Sequence, residues 1–361
     1  MPLKIGLIDD AGWFYPMVYA IALADVPDAQ IVAGTFLATD KRMKLINRAS
    51  GAVGQQEFID RFGLTTYDDV ETMIRTEGLD AVILFGEYSK KANHIETAAA
   101  CGVDIFTTKP PAVTMEQMQR IIDAGETHGV NITVPEHTRF NAAISEVHRL
   151  VTDGAIGPLV SARVLHQHGH LTPGIVSSDH WYANEYNGGP EISLGWYTAG
   201  LLRWFIPAEP LRAFAEYDNF DTPEMPFMDN GKGLVRFANG AIGSMDILFS
   251  TDCEYPTTEL ELIGRDANIF LRITAEGTDY SIHRADGTEH VHHDPEEPIA
   301  EEMRQWVRAT LDKTPPMMPA AEAAGILELC LAWKESARTN APVPLPLEPV
   351  LATSSLPGWL Q

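Results

Sequence analysis

Short apolar runs alternate with helical segments through the first third of the chain, and this alternation constrains the fold most strongly. The runs are rich in Ile, Val, Leu and Phe and lie at residues 4–8, 30–36, 80–85, 103–107 and 131–134. One of the intervening helical segments begins with Thr114 and Gln117 at the spacing of a capping box. Apolar strands that alternate with helices are typical of a parallel, doubly wound sheet. The sequence therefore predicts an α/β domain over residues 1–137.

A different pattern follows Glu136. Strand candidates lie at residues 159–166, 233–237, 241–249, 258–263 and 268–273. Asn239-Gly240 separates the second candidate from the third and is a strong hairpin signal. Consecutive strands of this kind predict a large, mostly antiparallel sheet, and residues 301–311 and 320–336 have helical patterns. We therefore expect a second, α+β domain over residues 138–361.

Charge and hydropathy exclude several classes of partner. The chain has 26 Lys and Arg against 50 Asp and Glu, a formal net charge of -24. Such a surface repels phosphate backbones and anionic lipids, so nucleic acid and membrane are not expected partners. The sequence shows no signal peptide and no apolar stretch long enough to span a bilayer, and its three cysteines are scattered. These features predict a cytoplasmic protein.

Several local strings resemble one enzyme family in order and spacing. They are Asp80-Ala81-Val82-Ile83-Leu84, Lys109-Pro110, Arg139-Phe140-Asn141, Gly154-Ala155-Ile156-Gly157 and residues 235–240. Over nearly its whole length the chain resembles the glucose-fructose oxidoreductase, inositol dehydrogenase and MocA (Gfo/Idh/MocA) family. The resemblance implies a Rossmann-like nucleotide-binding domain followed by a domain for substrate binding and oligomerisation. It also implies NAD- or NADP-dependent hydride transfer to or from a sugar, polyol or related hydroxy compound, by a homodimer or homotetramer.

The resemblance assigns Lys109 to the reaction centre. In the family this lysine lies between the nicotinamide and the substrate hydroxyl, where a cation lowers the cost of a developing alkoxide. Pro110 corresponds to a proline that follows the lysine through a cis peptide bond. The alternative is a surface lysine at the end of a strand.

A second family motif runs Gly-Gly, a short apolar stretch, Asp-x-Gly-x-His, and an Asp three residues later. Here the glycines are Gly188-Gly189, but Ser193 replaces the first Asp, Tyr197 the His and Gly200 the second Asp. Tyrosine also occurs at the histidine position in the glucose-fructose oxidoreductase branch, and a phenol beside an ammonium group can exchange protons. Tyr197 is thus a second catalytic candidate; alternatively, Trp196 and Tyr197 simply pack the start of a helix.

The first strand-to-helix turn departs most from the family. Asp9-Asp10-Ala11-Gly12-Trp13-Phe14 stands in place of Gly-x-Gly-x-x-Gly, whose glycines let backbone amides approach a pyrophosphate. The acidic residue expected after the second strand falls near Phe36, with Asp40 close by, and Thr108 replaces the Glu before Lys-Pro. The cofactor-binding candidates by position are Asp9, Gly12, Trp13, Phe14, Gly86, Glu87, Lys109 and Pro110.

Histidines cluster at the start of the second domain. His166, His168 and His170 alternate, so a strand would project all three from one face. The predicted substrate-binding residues are His166, His168, His180, Glu191 and Trp196. Imidazoles with carboxylates are also ordinary ligands of Zn and Mn, so an alternative metal site comprises His166, His168, His170, Asp179 and His180. A later group, His290, His292 and His293, has the character of a solvated loop.

Three functions therefore stay open. The first is an NAD(P)-dependent oxidoreductase of carbohydrate-like substrates, with Lys109 and Tyr197 as its catalytic residues. The second is a non-redox, metal-dependent isomerase, lyase or hydrolase of a sugar derivative on the same scaffold. The third is a catalytically silent relative that binds a sugar, since a fold does not establish a function.

Overall fold

The chain folds into two units in a computed structural model. The structure describes residues 2–12, 15–38, 45–47, 51–169, 181–251 and 256–348. The first unit runs to Pro135 and takes in Ile299–Ala324. The second begins at Glu136, runs to Pro298 and resumes at Gly325. No helix in the described ranges is long and apolar enough to cross a membrane.

The first unit contains the predicted parallel sheet, with six strands in the order β5-β2-β1-β6-β7-β8. Its elements are β1 (Leu3–Asp9), α1 (Tyr15–Ala24), β2 (Ala29–Phe36), β3 (Leu45–Asn47), β4 (Gly51–Val53), α2 (Gln55–Phe62), β5 (Thr65–Tyr67), α3 (Val70–Glu77), β6 (Ala81–Phe85), α4 (Lys91–Ala100), β7 (Asp104–Thr107), α5 (Met115–His128) and β8 (Ile132–Thr133). The central strand β6 is buried along its whole length, as its continuous apolar run requires. Strands β3 and β4 form a separate hairpin.

Helix α5 begins where the sequence predicts. The Thr114 side chain accepts a hydrogen bond from the Gln117 backbone N–H, and Gln117 Oε1 accepts one from Val113. Gly129 ends the helix in the left-handed conformation. The chain then enters β8, which pairs with β7 in parallel. Helix α5 is therefore the crossover connection between these two strands.

The second unit is built on a nine-stranded sheet in the order β16-β15-β14-β13-β9-β12-β11-β10-β17. Its elements are α6 (Ala142–Thr152), β9 (Leu159–Gly169), α7 (Gly189–Ser193), α8 (Gly195–Phe205), β10 (Pro210–Asp218), β11 (Asn230–Phe237), β12 (Ile242–Thr251), β13 (Thr258–Gly264), β14 (Asn268–Thr274), β15 (Gly277–Arg284), β16 (Gly287–His293) and β17 (Val343–Pro344), with short 3-10 turns at His137–Phe140, Trp181–Ala183 and Glu185–Asn187. Only the β9 and β12 pair is parallel among the pairings of these strands, which confirms the mostly antiparallel sheet. Asn239-Gly240 forms the predicted hairpin, with Gly240 at φ 88°.

Two sequence expectations differ from the structure. The histidines at 290–293 lie in the edge strand β16 rather than in a loop, because they pair with β15. Helix α9 (Pro298–Asp312) falls in the predicted second domain but belongs to the first unit by its contacts. Its Trp306 ring lies 5.3 Å from the Phe106 ring of β7, inside the first-unit core. Helix α10 (Ala320–Thr339) starts in the first unit and continues into the second.

Candidate active-site residues

Lys109 follows β7 at the carboxyl edge of the parallel sheet, where open α/β sheets bind ligands. Its side chain is buried, and the Lys109–Pro110 bond is cis, as the resemblance implies. The Thr108 backbone N–H donates to the Leu84 carbonyl at 3.0 Å, which ties this segment to β6. The lysine that the sequence singled out is thus held next to two strand ends.

A second lysine, Lys91, holds the backbone on both sides of Lys109. Its ammonium group donates to the Thr108 hydroxyl and to the Pro110 carbonyl, both at 2.9 Å, and to the Thr108 carbonyl. The side chain is fully buried, and burial, followed by the repulsion of Lys109, holds the pKa of Lys91 well below its ordinary value. The sequence alone does not indicate Lys91, because its acceptors lie 17 to 19 positions away and no local pattern connects them.

The turn after β1 is closed by its own aspartate. Asp9 Oδ1 accepts hydrogen bonds from the backbone N–H groups of Ala11, at 3.1 Å, and Gly12, at 2.8 Å. Gly12 adopts φ 56°, a left-handed conformation that favours glycine. Burial raises the pKa of Asp9 to about 7; the two amide bonds oppose that shift and the Asp10 carboxylate adds to it. Trp13, Phe14 and Asp40 lie outside the described residues.

Asp10 joins this turn to the end of β6. Its Oδ1 accepts from the Glu87 backbone N–H and its Oδ2 lies against His94 Nε2, both at 2.8 Å. The Glu87 carboxylate pairs with Lys90 at 2.8 Å, and burial raises its pKa. A Cβ on Gly86 would lie 3.1 Å from Asp10 Oδ1, so a larger residue there would crowd this carboxylate. The structure thus brings the candidates Asp9, Gly12, Gly86 and Glu87 together.

The chemistry of this turn can be compared with the diphosphate of the cofactor that the resemblance implies. Backbone N–H groups at a turn before a helix are the donors that phosphates use, and Ala11 and Gly12 supply two of them. These donors are of the kind that fits a diphosphate. The Asp9 carboxyl already occupies the same donors, so a bound phosphate would have this carboxyl as its neighbour.

Tyr197 lies in an aromatic cluster of the second unit. It is on α8, with its ring centroid 4.1 Å from that of His166 on β9 and 5.1 Å from that of His137. His166 Nδ1 contacts the Thr258 hydroxyl at 3.1 Å. Tyr197 and His166 are candidates from the sequence, whereas His137, which precedes α6, comes near Tyr197 only through the fold. The two imidazoles can exchange a proton with a phenol or with a substrate hydroxyl.

The other predicted substrate-binding residues have different surroundings. His168 lies two residues along β9 with its ring 5.3 Å from Phe249. Glu191 is buried and pairs with Lys334 of α10 at 3.2 Å. Trp196 is 0% exposed, so its indole packs within the unit rather than at a solvent-open surface. His180 lies outside the described residues.

The replaced motif positions hold other groups. Ser193 Oγ contacts the Tyr182 hydroxyl at 2.6 Å. A Cβ on Gly200 would lie 3.0 Å from Glu136 Oε2, so the carboxylate of Glu136 fills the space beside this glycine. Glu136 is fully buried, and its Oε1 accepts from the backbone N–H and hydroxyl of Thr138. No local pattern in the sequence indicates Glu136.

The alternative metal site falls mostly outside the described residues, since His170, Asp179 and His180 are not among them. Within the described ranges, no group of three or more His, Cys, Asp or Glu side chains is arranged to hold a metal ion.

Comparison with known families decides the ancestry. Residues 31–136 match the model of the oxidoreductase family with an NAD-binding Rossmann fold, and residues 144–270 match the GFO/IDH/MocA C-terminal domain. Together the two matches cover more than half of the chain. The chain belongs to the Gfo/Idh/MocA family. Its N-terminal match begins after β1, so the altered turn at residues 9–14 lies outside the matched stretch.

Relatives that the chain resembles are named as enzymes of sugars or sugar derivatives. The chain is 26% identical over 204 residues to the 1,5-anhydro-D-fructose reductase of Ensifer adhaerens, a match covering 55% of this chain and 60% of that one. It is 32% identical over 151 residues to the D-apiose dehydrogenase of Paraburkholderia graminis, covering 42% of this chain and 37% of that one. The matched stretches thus span less than two thirds of either relative.

Solved structures share the fold over nearly the full length. A levoglucosan dehydrogenase in complex with NADH matches with a TM-score of 0.81 at 18% identity, covering 96% of this chain and all of that one. An Agrobacterium radiobacter oxidoreductase in complex with NAD+, L-tartaric acid and magnesium matches with a TM-score of 0.81 at 20% identity, covering 95% and 98%.

Proposed function

We propose that this protein is an NAD- or NADP-dependent oxidoreductase of a sugar, polyol or related hydroxy compound. The family membership and the names of the relatives support this reaction class. The observation that carries the proposal is Lys109, buried after β7 in a segment that Lys91 fixes. The alternative, a surface lysine at a strand end, explains neither the burial of Lys109 nor the hydrogen bonds of the buried Lys91 to the residues on either side of it.

The residues of the chain have separate roles in this proposal. The cofactor, when bound, accepts or supplies the hydride, and the amides of Ala11 and Gly12 and the side chain of Lys109 would hold it. The Lys109 ammonium stabilises negative charge on the substrate oxygen as its proton leaves. We assign the exchange of that proton to Tyr197, whose ring is packed by His166 and His137. His166 and His168 are assigned to substrate hydroxyls, as is His180 by sequence alone.

Calorimetry tests the cofactor directly. NAD and NADP, each oxidised and reduced, are titrated into the purified protein up to about millimolar concentration. Saturable binding of at least one of them is expected, and binding of none would refute the proposal.

Turnover on a panel of sugars and polyols tests the role of Lys109. Lys109→Met is expected to lower kcat by about 100-fold or more while cofactor affinity changes less, because the ammonium acts on the developing charge. The matched control is Lys4→Met, an exposed lysine at the amino end of β1. If the two variants turned over alike, Lys109 would have no part in the reaction.

We also propose a homo-oligomer that forms through one face of the nine-stranded sheet. Cross-strand pairing places Phe270, Glu261, Arg163, Ser244 and Leu234 in one row on that face. Phe270 and Leu234 are exposed there, and exposed apolar groups on a sheet favour association. Light scattering is expected to show a dimer or tetramer, and the double variant Leu234→Glu and Phe270→Glu to shift it towards monomer. A monomeric parent protein would contradict this.

A further inference from the structure

Asp9, the residue at the first glycine position of the turn, places its own carboxyl group against the backbone N–H donors of that turn. Its Oδ1 lies within hydrogen-bond distance of two backbone N–H groups, those of Ala11 and Gly12, at 3.1 and 2.8 Å. Its side chain is only 3% exposed, so water screens its charge poorly. A phosphate that used these donors would have to share them with this carboxyl group.

The neighbouring charges do not neutralise Asp9. The Asp10 carboxylate is nearby and engaged with His94, and the Glu87 carboxylate is engaged with Lys90. Lys91, on α4, directs its ammonium to Thr108 and Pro110, close enough to Lys109 for the two to repel. Lys90 and Lys91 thus each have another acceptor, and Lys109 follows a different strand, β7.

We propose that a dinucleotide binds this turn together with one proton, which Asp9 takes up from solvent. The proposal rests on the proposed use of NAD or NADP. The proton adds to a carboxylate oxygen and no other bond is made or broken. The neutral carboxyl group then donates its O–H to a phosphate oxygen, whereas the charged form repels the phosphate. Asp9 thereby becomes a binding residue whose protonation state sets cofactor affinity.

The ordinary chemistry of the site supports this linkage. Burial raises the pKa of Asp9 to about 7, so the neutral form is already available near neutral pH. A diphosphate adds negative charge beside it and raises that pKa further. The number of protons taken up per dinucleotide bound therefore increases with pH, to a limit of one.

Calorimetry of NAD binding at pH values from about 6 to 9, in two buffers of different ionisation enthalpy, measures the proton count. NAD suits the test because its two phosphates stay ionised over this range, unlike the extra phosphate of NADP. The expected result is uptake approaching one proton above about pH 8, with affinity falling towards tenfold for each further pH unit. Binding with the same affinity at every pH and no proton uptake would overturn the proposal.

Variants identify the group. Asp9→Asn and Asp9→Gly are expected to bind NAD with affinity that changes little with pH, and about 100-fold more tightly than the parent at pH 9. His94→Gln is the matched control, because the His94 ring contacts Asp10, the neighbour of Asp9; this variant is expected to keep the proton uptake. Loss of the uptake in His94→Gln, with its retention in Asp9→Asn, would transfer the effect to His94. If neither the parent nor the variants bound NAD or NADP at any pH, the proposed function itself would fail.

Discussion

The burial of Asp9 has a consequence for stability that does not depend on any ligand. Asp9→Asn replaces the carboxyl group by a neutral amide of nearly equal size, which can still accept from Ala11 and Gly12. In the parent protein, folding raises the pKa of Asp9 from 3.8 to about 7. The folded state therefore binds a proton more tightly than the unfolded chain does.

The sign and size follow from proton linkage. The contribution of Asp9 to the free energy of unfolding is highest below pH 3.8 and is lost as the pH rises towards about 7, above which the loss is complete. At about 1.4 kcal/mol for each tenfold change in proton affinity, the full loss amounts to about 4 kcal/mol. Asp9→Asn avoids it, because the amide carries no charge and the pKa of about 7 already includes the two amide hydrogen bonds. The variant should be more stable than the parent by about 4 kcal/mol at pH 8.

Urea unfolding followed by circular dichroism at pH 5 and pH 8 provides the assay. The advantage of Asp9→Asn should be much smaller at pH 5, because most of the linkage loss accrues above that pH. Asp25→Asn, at an exposed aspartate after α1, is the control. If the parent and Asp9→Asn showed parallel dependence on pH, the desolvation argument for Asp9 would be wrong.

Three further outcomes are expected. Lys91→Met should lower the free energy of unfolding by about 2 kcal/mol in urea titrations, because the buried acceptors on Thr108 lose their donor. Gly200→Ala, which in most helices stabilises by about 1 kcal/mol, should destabilise here because its Cβ would lie 3.0 Å from Glu136 Oε2; in a Glu136→Ala background the sign should reverse. A fragment of residues 1–137 should lack cooperative thermal unfolding by circular dichroism, since it has no Trp306, whereas the same fragment joined to residues 299–324 should regain it.

Elements with strong local patterns were predictable from the sequence. The apolar run of β6 is continuous in the chain, and the cap at Thr114 and the turn at Gly240 each involve residues close in the chain. Strand β16 was missed because its side chains are mostly exposed, so it shows no apolar alternation. The edge strand is held by backbone pairing with β15, which leaves little trace in composition.

The residues of the candidate site likewise include some that a local sequence pattern identifies and others that it does not. Lys109 could be identified because Lys-Pro follows an apolar strand in the family's order. Lys91, Glu136 and His137 could not, since their partners lie 17 to 64 positions away and depend on the packing of separate elements. The approach of the Glu136 carboxylate to Gly200, where the family motif has an Asp, can be seen only in three dimensions.

Within the described residues the chain passes between its two units three times, after Pro135, after Pro298 and after Ala324. A single crossover between two related genes near residue 136 would therefore combine the parallel sheet of one parent with the α9 helix of the other. Trp306 would then meet a Phe106 alongside which it had not been selected. Recombination is expected to preserve the core only when both segments of the first unit are inherited together, so the two units evolve as linked partners rather than as exchangeable modules.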